Sequence, residues 1–192
     1  IMGVKLSTAI MSKPISLSSG GKTLTVSAIG INFTEYSEVY STTFLAGSGS
    51  LLLDSANDTI ILGARIADPW KNGTTFAEVG DYINLTWSTG PITKPITKIY
   101  LFHVVAVLKE VGGLGIGGPS DSQVYIPIST AETIFETDQV NQILIQLVDS
   151  KQTTIDSVTE DTEAFFEDKV TVMSPTAMLS TFSSILSTVQ LL

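Results

Sequence analysis

The stretch KIYLFHVVAVLKEVGGLGIGGPSDSQVYIPISTAETIF, residues 98–135, decides how this chain folds. It opens with the run KIYLFHVVAVL, which is apolar on both faces, as is typical of a strand in the middle of a sheet. A glycine-rich loop, a second strand and a short helix follow. Pro127 in the second strand predicts either an edge without a ladder partner or a bulge. Ser129 or Thr130 is the expected N-cap of the helix.

The loop of this stretch carries Gly113, Gly115 and Gly118 in the dinucleotide-binding pattern G-x-G-x-x-G. That pattern holds pyrophosphate only where its last glycine opens a helix, because the free N–H groups of the helix then face the phosphates. Here Gly118 is followed by Pro119 and then by a strand. Asp138 has the spacing of a ribose-binding acid, but it follows a helix. We therefore interpret the loop as a connection between strands and predict no cofactor.

The composition of the 192 residues is apolar and acidic. With 43% hydrophobic and 15% charged residues the chain can bury a sizeable core, which excludes a disordered protein. The net charge of −9 argues against a nucleic-acid partner and against docking on anionic lipid. The absence of cysteine excludes disulfides, thiolate nucleophiles and zinc–thiolate sites. No run of 18 apolar residues occurs, so no segment is predicted to span a bilayer by itself.

Turn and periodicity signals predict the remaining elements. Before residue 123 the chain reads as strands and turns, which include a hairpin turn at 18–21, a loop at 47–49, strands at 59–62 and 82–87, and a helical turn that ends before Pro69. After residue 123 the order is strand, short helix, strand, helix, strand, helix. The longer helix, 154–168, is expected to be capped by Thr153 or Thr154.

The end of the chain is predicted to form a strand at 169–173 and a last helix. Ser174 and Pro175 open that helix as N-cap and first helical residue. The fold class predicted from the whole order is α+β, built from packed apolar sheets. Neither a single closed β-barrel nor a doubly wound nucleotide-binding fold is expected.

Candidate catalytic residues give no convincing constellation. His103 is the only histidine and lies in the most apolar strand, so we predict a buried or half-buried structural residue. No G-x-S-x-G nucleophile motif is present, and one imidazole cannot build a histidine metal site. Acidic clusters occur at Asp54/Asp58, Glu160/Asp161/Glu163 and Glu167/Asp168. A solvated helix face explains the last two, so we predict no catalytic and no metal-binding residue.

Aromatic residues and sequons concentrate in the first part of the chain. The aromatic residues either line a ligand groove or, more commonly, fill a β-rich core: Phe33, Tyr36, Tyr40, Phe44, Trp70, Tyr82, Trp87 and Tyr100. Four N-x-[ST] sequons are candidate N-glycosylation sites in a host with the machinery, at Asn32, Asn57, Asn72 and Asn84.

Four segments then occur in an order that carries a resemblance. They are VSAIGINFTEYSEV (26–39), DTIILGARIADPWKNGTTFAEVGDYINL (58–85), YLFHVVAVLKEVGG with DSQVYIPISTAETIF (100–113 and 121–135), and the strand-helix-strand tail at 141–190. In this order they resemble the extracytoplasmic core domain of MacB-type ABC transporter permeases, the group that includes FtsX-like and LolC/LolE-like subunits. The resemblance covers nearly the whole chain.

That resemblance implies a fold of two lobes. Residues 1–30 and 124–192 would form a porter-like α+β lobe, and residues 31–123 an inserted β-rich, Sabre-like lobe. The family normally has another strand and helix before the first segment seen here. Either the porter-like lobe is incomplete at its N-terminus or these elements differ in this branch. The last helix would be a stalk that descends to the bilayer.

The resemblance also implies a function without an active site. The domain would stand on the extracytoplasmic face and transmit motion, so that ATP hydrolysis by a separate cytoplasmic subunit drives substrate export or extraction. Its partners would be its own transmembrane helices, the ATPase subunit and, as further candidates, a second permease copy or an adaptor. The isolated domain is expected to be a monomer. The alternative is a freestanding cell-surface domain that binds a carbohydrate or peptide through Trp70 and Trp87. A carboxylate hydrolase ranks third.

Overall fold

The computed structural model of this chain describes residues 1–51, 56–91, 93–112, 118–167, 169–174 and 177. The strands within that part are β1 (Val4–Ser19), β2 (Lys22–Ile31), β3 (Ala46–Gly49), β4 (Thr59–Leu62), β5 (Tyr82–Thr89), β6 (Ile96–Leu108), β7 (Gln123–Pro127) and β8 (Gln142–Leu147). The helices are α1 (Phe33–Val39), α2 (Ala64–Ala67), α3 (Ile128–Phe135) and α4 (Gln152–Phe165). The α+β class predicted from the sequence is confirmed.

Two compact units divide the chain. The smaller unit contains Ile1–Leu6 and Ile145–Leu192, and the larger unit contains Ser7–Leu144. This is a different division from the two predicted lobes, whose boundaries at residues 30/31 and 123/124 stay a prediction.

The strand pairings of the larger unit close into a ring. Antiparallel pairs join β1 to β2, β4 to β7, β5 to β6 and β1 to β5, and parallel pairs join β2 to β7 and β4 to β6. β3 pairs with the end of β6, and β8 pairs with β1. The expectation that the chain would form no closed β-barrel was wrong, because these six strands close on themselves. The ring closes because β1 pairs with β2 along 10–19 and with β5 along 16–18, and strand pairing between distant segments leaves no local sequence signal.

One hydrophobic cluster takes side chains from all six strands of the ring, and it therefore fills the interior. Leu17, Ala28, Ile60, Phe102 and Val124 belong to it, and so do the α3 residues Ala131, Ile134 and Phe135. Neighbouring residues in the strands point outward, because successive side chains alternate between the two faces of a sheet. Ile29, Ile61, Val105 and Tyr125 form a second cluster with Phe33, Tyr36 and Phe44, so α1 and Phe44 pack against this outer face.

Most local predictions agree with this structure. The hairpin turn is confirmed, since Gly20 and Gly21 link β1 to β2 with φ of 53° and 79°. β4 occupies the predicted 59–62, and α2 ends before Pro69. Pro127 is the last residue of β7, where pairing with β4 has already ended at Tyr125. One loop was wrongly assigned, because 47–49 belong to β3, which pairs with β6.

The predicted N-caps of α3 and α4 were both wrong. The N-cap of α3 is Pro127, and Ser129 and Thr130 lie inside the helix. The Thr130 hydroxyl instead donates to the Asn57 carbonyl oxygen at 2.9 Å, a contact between residues distant in sequence. The N-cap of α4 is Lys151. There Thr154 donates its side-chain hydrogen bond to Asp149, and this bond, together with those from Lys151, lowers the pKa of Asp149.

The predicted end of the chain is only partly described. Residues 169–173 form no strand, contrary to the prediction. The Ala177 N–H donates to Ser174 Oγ at 3.2 Å, which is the bond expected of an N-cap serine. The helix predicted after it falls on residues 178–192, which lie outside the described residues.

Candidate functional site

His103 lies on the outer face of β6 and is half-buried, as the sequence predicted. Its ring stacks on that of Tyr82, the opposite residue in β5, with centroids 5.0 Å apart and planes 28° apart. Its backbone N–H donates to the Asp58 carbonyl oxygen at 2.7 Å. These contacts fix the strand edge and the outer face, and they supply no nucleophile or acid for a catalytic triad.

The glycine-rich loop connects β6 to β7 directly, as predicted, and residues 113–117 lie outside the described part. Asp121 closes the two ends of the loop. Its carboxylate accepts hydrogen bonds from the Val111 N–H at 2.8 Å and from the Gly112 N–H at 2.9 Å. Asp121 is buried, and sequence reasoning missed its role. The signal available was an acid directly before a strand and after a glycine-rich run.

A cluster of aromatic rings supports the same loop. Tyr36, Phe44 and Tyr125 are buried together, with the Phe44 and Tyr125 centroids 5.1 Å apart. The Tyr125 hydroxyl accepts from the Ser120 N–H at 2.7 Å. Burial raises the pKa of Tyr36 and of Tyr125 above the usual value, so both phenols are neutral at physiological pH. These aromatic residues fill a core and do not line a groove.

The two tryptophans proposed as a binding platform have different environments. Trp87 is half-buried, and its ring packs edge-on against Phe135 at 5.5 Å, so it belongs to the interior of the ring. Trp70 is exposed, and Lys22 Nζ lies 4.9 Å from its ring centroid. The structure therefore does not present both tryptophans to one ligand.

The acidic clusters are solvated or paired. Glu160 and Asp161 are exposed on α4, as the charge pattern predicted. Glu167 forms an ion pair with Lys169 at 2.8 Å. Asp54 and Asp168 lie outside the described residues. Across the described part of the chain, no three His, Cys, Asp or Glu side chains are grouped so that they could hold a metal ion.

The four sequon asparagines are all exposed, but their surroundings differ. Asn32 is the N-cap of α1, and Asn72 Oδ1 accepts from the Thr74 N–H in a local turn. Asn84 lies in β5 between β1 and β6. Asn57 precedes β4, and its carbonyl oxygen is bound by Thr130. Their glycosylation stays a prediction.

Two of the clefts that described residues line lie on the larger unit. The smaller one, about 330 Å³, contains Arg65, Lys71 and Glu110, and both cations pair with Glu110, at 3.9 Å and 2.8 Å. The larger one, about 560 Å³, lies between α3 and the N-terminal half of β6. Its walls are Ile99–Phe102 of β6 and Ser129, Thr130, Thr133 and Ile134 of α3, and Asn57 and Asp58 also line it. We call this cleft the β6–α3 groove.

The sequence profile of the MacB-like periplasmic core domain matches residues 2–165, which is most of the chain. The chain belongs to this family. The domain therefore lies on the extracytoplasmic side of the membrane, as part of an ABC transporter permease. The family is not a known enzyme family, and ATPase activity belongs to a separate subunit. None of the described helices has the length and apolar character needed to cross a membrane.

Solved structures show the same fold at low sequence identity. The periplasmic region of MacB from Actinobacillus actinomycetemcomitans is 18% identical, with a TM-score of 0.66 over 95% of this chain and 78% of that one. The extracellular domain of the noncanonic ABC-type transporter YknZ from Gram-positive bacteria is 20% identical, with a TM-score of 0.58 over 83% and 72%. A domain of a putative permease from Porphyromonas gingivalis is 12% identical, with a TM-score of 0.54 over 85% and 65%. A search of curated proteins finds no match.

Proposed function

We propose that this domain transmits motion between the membrane part of its permease and the outer face. ATP hydrolysis by the cytoplasmic subunit thereby drives substrate export or extraction. One observation supports the proposal: the small unit contains both the start of β1 and the whole of α4. The Val148 N–H donates to the Gly3 carbonyl oxygen at 3.0 Å there. Segments on both sides of the larger unit are thus tied to each other.

The larger unit has the features of a stiff element. Its six strands form a closed ring around one apolar core. A close-packed protein interior resists deformation. Force applied at the small unit would therefore move the larger unit as a body. We propose that the transmembrane helices and the ATPase subunit are the partners that supply this force, and that a second permease copy or an adaptor receives it.

The absence of cysteine from this chain gives a clean background for a distance measurement in the parent transporter. With native cysteines of the parent replaced, one spin label at Ser88→Cys in the larger unit and one at Glu160→Cys in the smaller unit report the distance between them. Both side chains are exposed. The proposal predicts that this distance distribution shifts between the nucleotide-free transporter and the transporter trapped with ATP.

A matched pair of labels within the larger unit serves as the control. Ser88→Cys with Glu132→Cys places both labels on exposed positions of that unit. This distance should stay constant in every nucleotide state. If neither pair changes on ATP binding, the domain does not transmit motion and the proposal fails.

The lobe assignment and the modification sites remain proposals of the same kind. We propose a porter-like lobe at 1–30 and 124–192, a Sabre-like lobe at 31–123, and glycans at Asn32, Asn57, Asn72 and Asn84 if the host glycosylates. Intact-mass measurement of the chain from its native source would test the glycans.

We also propose that the isolated domain is a monomer. Sedimentation that shows a dimer at micromolar concentration would contradict this.

A further inference from the structure

The N-terminal half of β6 has a free hydrogen-bonding edge. β4 pairs with β6 only from His103 onward, and β5 pairs with the other edge along 96–103. Within the described residues, no strand pairs with Ile99–Leu101 on the β4 side. The part of β6 that precedes the start of β4 therefore extends beyond its pairing with β4.

The direction of the backbone groups follows from the ladder. The His103 N–H points away from β5, because it donates to the Asp58 carbonyl oxygen on the β4 side. His103 and Tyr82 are therefore a non-hydrogen-bonded pair, and such pairs alternate with hydrogen-bonded pairs along an antiparallel ladder. Ile99 and Leu101 must then point their N–H and C=O groups away from β5 as well. These groups face the β6–α3 groove.

The groove has the size and the lining of a site for one short strand. Its volume of about 560 Å³ lies beside four residues of β6, from Ile99 to Phe102. A strand rises about 3.3 Å per residue, so a segment of about four to five residues would match this length. The floor and walls combine backbone donors and acceptors with the half-buried side chain of Tyr100 and the exposed side chain of Thr133. On the outer face, Ile99 and Leu101 are 65% and 58% exposed.

From this geometry we propose that the β6–α3 groove binds an extended segment of a partner protein, which adds to β6 as a strand. Main-chain hydrogen bonds to Ile99 and Leu101 would supply the affinity, as in other complexes formed by strand addition. Alternate side chains of the segment would be apolar, to contact the exposed side chains of Ile99 and Leu101. This inference does not rest on the proposed function.

Two observations select the occupant. The helix α3 forms the opposite wall, so a sheet that added to β6 here could not continue past its first strand. A second copy of this chain presents its own β6 edge behind its own α3, and the two walls would collide. The net charge is −9 and Asp58 lines the groove, so a segment with a basic residue is favoured by charge complementarity.

The test uses a library of phage-displayed nine-residue peptides with alternating apolar positions, selected on the 192-residue chain. The key variant is Ile99→Pro, which removes a donor that faces the groove. Because that N–H makes no bond to β5, the β5–β6 ladder keeps its hydrogen bonds. Thr97→Pro is the matched control, since its N–H also points away from β5 but Thr97 does not line the groove.

The expected result is a peptide that binds Ile99→Pro about tenfold more weakly or worse, because one hydrogen bond of typical strength is lost. Its affinity for Thr97→Pro should stay within about twofold of the affinity for the unmodified chain. If no peptide is enriched on the unmodified chain over Ile99→Pro, the proposal is overturned. Concentration-dependent dimerisation that Ile99→Pro abolishes would also overturn it, because the occupant would then be a second copy.

A scan of the selected peptide keeps the proposal testable even if Ile99→Pro fails to fold. Each backbone nitrogen of the peptide is methylated in turn, and binding to the unmodified chain is measured by isothermal titration calorimetry. Strand addition predicts loss of affinity at every second position, because alternate N–H groups face β6. Loss at every position, or at none, would show that the peptide does not bind as a strand.

Discussion

The two halves of strand β6 differ in almost every physical respect. Residues 103–107 lie beside β4 on one edge, and on the other edge His103 pairs with β5 and residues 106–108 pair with β3. In this half, Val104, Ala106 and Leu108 are almost fully buried. Residues 96–102 have β5 on one edge only, among the described strands, and Ile96, Ile99 and Leu101 are exposed.

This difference shows how one strand can serve both stability and binding. The C-terminal half pairs with neighbouring strands of the sheet, so its backbone contributes to the stability of the ring. The N-terminal half has backbone groups that pair with no described strand, and it has apolar side chains at the surface. This combination is typical of a strand edge that can pair with another chain. α3 shields that edge from sheet-to-sheet contact, because it forms the far wall of the groove. The comparison predicts that substitutions in the C-terminal half lower the free energy of unfolding, while substitutions in the N-terminal half change it much less.

The largest effect should come from neighbouring residues that face opposite sides of β6. Phe102 is 1% exposed and points into the ring, while Leu101 is 58% exposed on the outer face. Phe102→Ala should lower the free energy of unfolding by about 3–5 kcal/mol, since it removes buried area and leaves a cavity. Leu101→Ala should cost less than about 1 kcal/mol.

Urea denaturation of the two variants, followed by circular dichroism, measures this difference. The unmodified chain is the reference, and the m-value of each variant should be unchanged. Equal losses from Phe102→Ala and Leu101→Ala would mean that the outer face of β6 is covered in solution. That result would contradict the division of the strand.

Local patterns of the sequence predicted those elements whose signals are local. The alternation of Ile83 and Leu85 with polar residues indicated β5, and the doubly apolar run 98–108 indicated a central strand. The prediction of a central strand held for its buried half and missed the groove edge beside Ile99. Apolar character on both faces describes Ile99 and Leu101 as well as it describes Val104 and Val105, although only the latter pair is buried.

What the sequence left open depends on contacts between distant residues. Ring closure needs Leu17 of β1 to pair with Leu85 of β5, and no local pattern records such a partner. Thr130, the predicted cap, instead donates its hydroxyl hydrogen bond to the carbonyl oxygen of Asn57, which is 73 residues away in the sequence. The role of Asp121 was not predicted, because its hydrogen bonds go to the far end of the glycine-rich loop. Family membership followed from the order of several weak segments, since no single motif carries chemistry.

The second effect concerns the loop that follows the buried half of β6. Asp121→Ala removes a buried carboxylate that accepts from the Val111 and Gly112 N–H groups. The loss should be about 2 kcal/mol, because two charge-assisted hydrogen bonds disappear and their donors stay partly buried. Thermal unfolding measures it. Ser122→Ala is the control, since Ser122 is exposed beside Asp121 and should change stability little.

If Asp121→Ala destabilises no more than Ser122→Ala, the loop is not held by this carboxylate. Hydrogen exchange adds a local measurement. The amides of Val111 and Gly112 should exchange faster in Asp121→Ala, while the amides of the ring interior, such as that of Val104, should keep their relative protection.

A smaller effect is expected from the helix that walls the groove. The Thr130 hydroxyl donates to the Asn57 carbonyl oxygen, which ties the start of α3 to the segment before β4. Thr130→Val keeps the shape and removes this bond, so the free energy of unfolding should fall by about 1 kcal/mol. Thr133→Val is the matched control, because its hydroxyl donates to Ser129 within the same helix. Equal effects of the two variants would mean that the contact with Asn57 adds nothing to stability.

The smallest effect is a pH dependence at the exposed half of β6. Lys98 forms an ion pair with Glu136 at the end of α3, and the hydrogen bond that Lys98 Nζ donates to the Glu136 carboxylate raises the pKa of Lys98. A raised folded-state pKa means that the pair stabilises the fold below the unfolded pKa of lysine, about 10.4, and that this contribution is lost as the pH rises through the folded pKa. Glu136→Gln should therefore be less stable than the unmodified chain at neutral pH, and the gap should close at alkaline pH.

The direct measurement is an NMR titration of the Lys98 side chain. Its pKa should be lower in Glu136→Gln than in the unmodified chain, because the carboxylate that accepts the Lys98 hydrogen bond is removed. Because the pair is exposed, water and salt screen it strongly, so the stability gap should shrink further at high ionic strength. A pKa of Lys98 that does not respond to Glu136→Gln would show that α3 and the exposed half of β6 are not joined at this point, and the groove would then be open at that end.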